Sequence, residues 1–120
     1  MKIIAKILVF VVALTHAAFL ILEMFYWDHP LGRGVFGTTP EESAMMAVLA
    51  ANQGLYNGFL ATGLLWGLFA GKTDVIVFFL SCVIVAGVYG AATASGNILF
   101  VQALPGAVAL LATLVTLRKN

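Results

Sequence analysis

The run Asn52-Gln53-Gly54-Leu55-Tyr56-Asn57 places four hydrogen-bonding side chains within six positions of an otherwise apolar stretch. Three carboxamides and a phenol donate and accept hydrogen bonds, so the chemistry they offer is ligand binding or helix bridging. Charge has to come from elsewhere. Glu23 sits at the outer end of the first apolar run, and His16 lies seven residues before it, on roughly the same helix face. Their axial separation of about 10 Å is too large for the two to hold one metal ion. Tyr89 and Gln102 fall in the outer halves of two later apolar runs. Together these residues suggest an outward-facing polar pocket, with Glu23, Asn52, Gln53, Tyr56, Asn57, Tyr89 and Gln102 as ligand-binding residues and Glu23 and His16 as proton-active groups. The alternative is a hydrogen-bonded network that only locks helices together, since amides left unpaired in hydrocarbon cost several kcal/mol each, of order 2–7.

The candidate pocket has a candidate lid. Asp28-His29-Pro30-Leu31-Gly32-Arg33-Gly34-Val35-Phe36-Gly37 contains glycines that permit tight folding, Arg33 to reach an anionic ligand or Glu23, and Phe36 as an apolar plug. A plain solvated loop is the other reading of the same residues. The single cysteine, Cys82, lies within an apolar run, which excludes an intrachain disulfide. No metal and no cofactor are expected.

The elements that position these residues follow from composition. Hydrophobic residues make up 62% of the 120 positions and charged residues 9%, far from the roughly 25% charged of a soluble domain. Four apolar runs, at about 3–25, 40–70, 75–94 and 98–117, predict a single all-α membrane domain over 1–120, a four-transmembrane-helix antiparallel bundle. A cleaved signal peptide competes for the first run, but the apolar stretch continues past the small-residue site at Thr15-His16-Ala17. Tyr26 and Trp27 close that run as interfacial aromatics, and Pro30 opposes its continuation. Thr39-Pro40-Glu41-Glu42 supplies an N-cap hydroxyl, a proline at N1 and a glutamate at N3, the pattern of a capping box. At 1.5 Å per residue the second run is roughly 45 Å long, more than the ~30 Å hydrocarbon core, so its first turns should project or the helix should tilt.

Lys2, Lys6, Lys72, Arg118 and Lys119 fall on one side of this topology and Arg33 alone on the other. The positive-inside bias then puts both termini in the cytoplasm of a multi-pass protein of the cell membrane. The lipid bilayer is the expected partner, and no basic nucleic-acid patch is present. Ala50, Gly54, Gly58 and Thr62 recur every four residues, and Gly63 with Gly67 repeats the spacing. Such stripes serve helix contact within one chain, or a homo-oligomer through the glycines.

The segments Pro30-Leu31-Gly32-Arg33-Gly34-Val35-Phe36-Gly37, Asn52-Gln53-Gly54-Leu55-Tyr56-Asn57-Gly58-Phe59-Leu60, Ala86-Gly87-Val88-Tyr89-Gly90-Ala91 and Gln102-Ala103-Leu104-Pro105-Gly106 carry a likeness that extends over nearly the whole chain. In them the sequence resembles a family of small, mostly bacterial integral membrane proteins catalogued as a domain of unknown function. The resemblance implies a four-helix membrane protein and carries no substrate or catalytic residue.

Three functions fit the residues. The first is binding or transport of a small amphiphilic or cationic ligand, with Glu23 supplying the charge. The second is a membrane-embedded enzyme acting on a lipid, quinone or isoprenoid; no HExxH, GxSxG, P-loop or dinucleotide motif accompanies it. The third is a non-catalytic membrane assembly component. A buried polar sector without a reaction signature favours the first.

Overall fold

The computed structural model describes residues 1–119, and they are helical with no strand among them. The helices are α1 (Ile3–Phe25), α2 (Pro30–Phe36), α3 (Pro40–Phe69), α4 (Thr73–Thr93) and α5 (Leu104–Arg118), the last preceded by a π-helical turn, Leu99–Ala103. Among the described residues three stretches are long and apolar enough to cross a membrane: Ile3–Phe25, Thr73–Thr93 and Leu99–Arg118. The 30-residue α3 is not among them. Two glutamates in its first turn and the polar run at 52–57 dilute its hydropathy.

Local signals set the helix ends. The Thr39 Oγ1 accepts from the Glu42 backbone N–H at 3.2 Å, while Glu42 Oε2 accepts from the Thr39 N–H at 3.0 Å. The capping box expected at the start of α3 is therefore formed in both directions. At the other end Gly71 takes φ 64°, and the Lys72 N–H reaches the Gly67 carbonyl at 2.9 Å, the longer bond of a Schellman stop.

Two departures from the sequence reading have clear causes. The segment read as a loop after Trp27 contains α2. His29 caps it by accepting the Leu31 N–H on Nδ1 at 3.1 Å, Pro30 occupies the first turn, and Gly37 at φ 67° closes it. The proline that ends α1 thus starts the next helix, because a missing N–H is tolerated in a first turn. The run at 98–117 is also not one α-helix. Pro105 has no N–H and its ring would strike the Val101 carbonyl in α geometry, so the backbone widens into the π turn just before it.

The described residues form two compact units. One comprises Met1–Leu14 and the chain from Leu60 on. Its core is Val9, Val12, Ala13, Leu64, Ile76, Leu80, Val83 and Ala109, drawn from α1, α3, α4 and α5. Gly87 of α4 lies against the π turn so closely that a Cβ there would sit 2.8 Å from the Ala103 nitrogen. The other unit is Thr15–Phe59, holding the end of α1, all of α2 and the first two-thirds of α3.

Candidate functional site

Within the Thr15–Phe59 unit, α1 and α3 touch through glycine. A Cβ on Gly54 would lie 2.7 Å from Met24 Cγ and 3.0 Å from Glu23 Cβ, and one on Gly58 would run into Leu20. Only glycine allows this approach, and it brings two polar side chains together: Asn57 Nδ2 donates to Glu23 Oε1 at 2.7 Å. Both residues are half-buried, so the pair keeps an open side. After this bond, Glu23 Oε2 and the Asn57 carbonyl oxygen remain as acceptors beside one remaining amide N–H. A cluster dominated by acceptors and carrying a carboxyl group suits a donor-bearing or positively charged group.

The other members of the 52–57 run point elsewhere. At about 100° per residue, Asn52 and Tyr56 lie roughly 200° and 160° around the helix from Gly54, opposite the glycine face. Both are exposed, as is Gln53. Asn52 Nδ2 bonds its own helix at Val48 O, 2.8 Å away, and Tyr56 makes an edge contact with Phe59. The four polar residues therefore occupy both sides of α3, with Asn57 on the inner one. His16 is 1% exposed, its ring edge-on to Phe19 at 5.6 Å. Tyr89 and Gln102 belong to the other unit. There Tyr89 is exposed, and Gln102 Nε2 donates to the Val83 carbonyl at 3.1 Å, tying the π turn to α4.

The expected lid residues have partners of their own. Arg33 Nη1 bonds Asp28 Oδ1 at 3.0 Å and the Asp28 carbonyl at 2.7 Å, and Phe36 packs on Trp27 with centroids 5.0 Å apart. One contact had no forecast in the sequence. Trp27 Nε1 donates to the Ser43 carbonyl at 2.8 Å, and Ser43 Oγ, fully buried, donates to the Trp27 carbonyl at 3.2 Å. A serine one turn after a cap residue reads as helix surface, so only its burial marks it. Among the described residues no three His, Cys, Asp or Glu side chains gather as a metal site. A cavity of about 120 Å³ is lined by Lys6, Gly67, Gly71, Thr73 and Ile76, with no expected ligand residue among them.

Comparison with known proteins gives a family without an activity. A family model described as "Protein of unknown function (DUF1304)" matches residues 10–114. The "Uncharacterized protein YpaA" of Lactococcus lactis subsp. lactis (strain IL1403) is 31% identical over 116 residues, covering 93% of this chain and 95% of the relative. No solved structure matches.

Proposed function

The chain belongs to this family of proteins of unknown function, and we propose that it is a four-span cell-membrane protein that binds or carries a small amphiphilic or cationic ligand at Glu23 and Asn57. In this reading α3 is the fourth crossing, linking α1 to the α4–α5 hairpin, and both termini face the cytoplasm. Two observations support that topology. Lys6 lines the same cavity as Gly71 and Thr73, the neighbours of Lys72, so two of the five inside-biased basic positions gather at one end. α3 also carries exposed apolar side chains off its glycine face, among them Leu49, Leu55 and Phe59, so its polar run does not encircle it.

The single observation that carries the ligand reading is the 2.7 Å Asn57–Glu23 bond between helices held close by Gly54. An intramembrane carboxyl group is costly and marks function by default. Here it is fixed by an amide on a neighbouring helix and keeps an open side. A cationic amphiphile would place its charge against the carboxylate and its apolar body against Leu20 and Met24. Ethidium uptake into proteoliposomes tests this. Glu23→Gln, which keeps the shape and the Asn57 bond, should reduce uptake at least tenfold to the level of empty liposomes; uptake equal to the parent rejects the reading.

A further inference from the structure

We infer that a second copy of this chain docks on the outward face of α3, around Asn52, forming a parallel two-fold dimer. The inference rests on α3 crossing the membrane, and is independent of what binds Glu23. The face consists of Met45, Val48, Leu49, Asn52, Tyr56 and Phe59, at intervals of three and four residues, opposite the glycines that α1 covers. Met45 is 86% exposed, Val48 78% and Tyr56 60%. The six side chains offer several hundred Å² per chain, the order of the ~800 Å² per partner that specific interfaces bury.

Lipid alone covers the apolar members of such a face, so they do not by themselves call for a protein partner. The amide does. Among the described residues the Asn52 side chain makes no hydrogen bond besides the one to Val48 O, leaving its Oδ1 and one amide N–H unmatched. Met45 and Val48 stand about 6–10 Å outward of it along the axis. At a depth where Asn52 is hydrated, these two side chains stand in water. At a depth where they reach hydrocarbon, Asn52 and the Tyr56 hydroxyl lie there too, without partners. No single depth suits the whole stripe.

A second copy resolves both conflicts. Copies inserted in one orientation share one depth, so a two-fold axis along the membrane normal brings each residue to its own counterpart. A carboxamide is its own complement, one donor and one acceptor on each side, and a lone asparagine in an apolar helix seam favours a parallel two-stranded register. Met45 and Val48 then cover their counterparts, whichever side of the interface they occupy.

Disulfide cross-linking in native membranes tests the dimer. On a Cys82→Ala background, Val48→Cys should give an oxidised dimer, while Val85→Cys on exposed α4 should stay monomeric; recovery of both in the carbonate-resistant membrane fraction establishes insertion. Adding Asn52→Leu should lower the Val48 cross-link at least fivefold, and adding Glu23→Gln should leave it unchanged, separating this face from the ligand site. A monomeric Val48→Cys, an equal cross-link at Val85→Cys, or a cross-link indifferent to Asn52→Leu overturns the inference. Parental ethidium uptake in Glu23→Gln with an intact cross-link leaves the dimer standing without the ligand site, and loss of that uptake with no Val48→Cys cross-link removes the dimer alone.

Discussion

Asn52 and Asn57 are the same residue type, five positions apart on one helix, and they live in different worlds. Asn57 faces α1 and bonds the Glu23 carboxyl group at 2.7 Å; Asn52 faces away and bonds only its own backbone. Five residues advance the helix by about 140°, enough to carry a side chain from the packed face to the open one. The polarity of a segment therefore does not make it a pocket. Which side each amide occupies is decided by Gly54 and Gly58, because the close approach of α1 defines the inner face.

The sharpest way to break this comparison is to fill the glycine contact. Gly54→Leu places a side chain where even a Cβ would meet Met24 Cγ at 2.7 Å, and overpacking of this kind costs about 3 kcal/mol. It should lower the thermal midpoint in detergent by several degrees and abolish ethidium uptake, whereas Leu55→Ala on the exposed side should change the midpoint little.

Next in size is the pair itself. Asn57→Leu removes the Glu23 hydrogen bond and leaves a half-buried carboxyl group unpartnered, a loss of roughly 1–3 kcal/mol. A double-mutant cycle read by reversible unfolding in mixed micelles should give a coupling of about 1 kcal/mol between Glu23→Leu, which removes the acceptor, and Asn57→Leu. The cycle between Glu23→Leu and Asn52→Leu should give none.

In the other unit, Gln102→Leu tests a bond between helices that carries no charge. Interhelical hydrogen bonds in membranes average about 0.6 kcal/mol, so the variant should be mildly destabilised and keep full uptake. The smallest effect on the monomer belongs to Asn52→Leu: within about 0.5 kcal/mol of the parent in dilute micelles, where the face meets detergent.

The sequence carried the helices well. Tyr26, Trp27 and Pro30 mark the end of α1, and Thr39 with Glu42 fixes the start of α3 to the residue. α2 was harder to read, because glycines at 32 and 34 look like loop. Its helical form depends on the His29 cap and on Gly32 fitting against the Tyr26 carbonyl, a tertiary contact. The π turn was hidden for a related reason: Pro105 signals a disturbance, but whether the backbone kinks or widens depends on what packs beside it, here Gly87.

The site was legible in part. Glu23 and Asn57 were both visible as chemistry. Their meeting was not, since 34 positions separate them. Asn52, Gln53 and Tyr56 drew notice by proximity in sequence, which helical rotation undoes. Arg33 reads as a free cation reaching for an anion, and Asp28 five residues earlier had already matched it. Trp27 and Ser43 bind each other twice, yet neither residue type advertises it.

Equilibrium binding of ethidium to the protein in lipid nanodiscs, compared across Glu23→Gln, Asn57→Leu and Asn52→Leu, tests the central claim most directly. A ligand held at Glu23 and Asn57 binds at least tenfold more weakly to the first two and with parental affinity to the third. Parental affinity in Glu23→Gln, or a loss in Asn52→Leu as large as in Asn57→Leu, would contradict it.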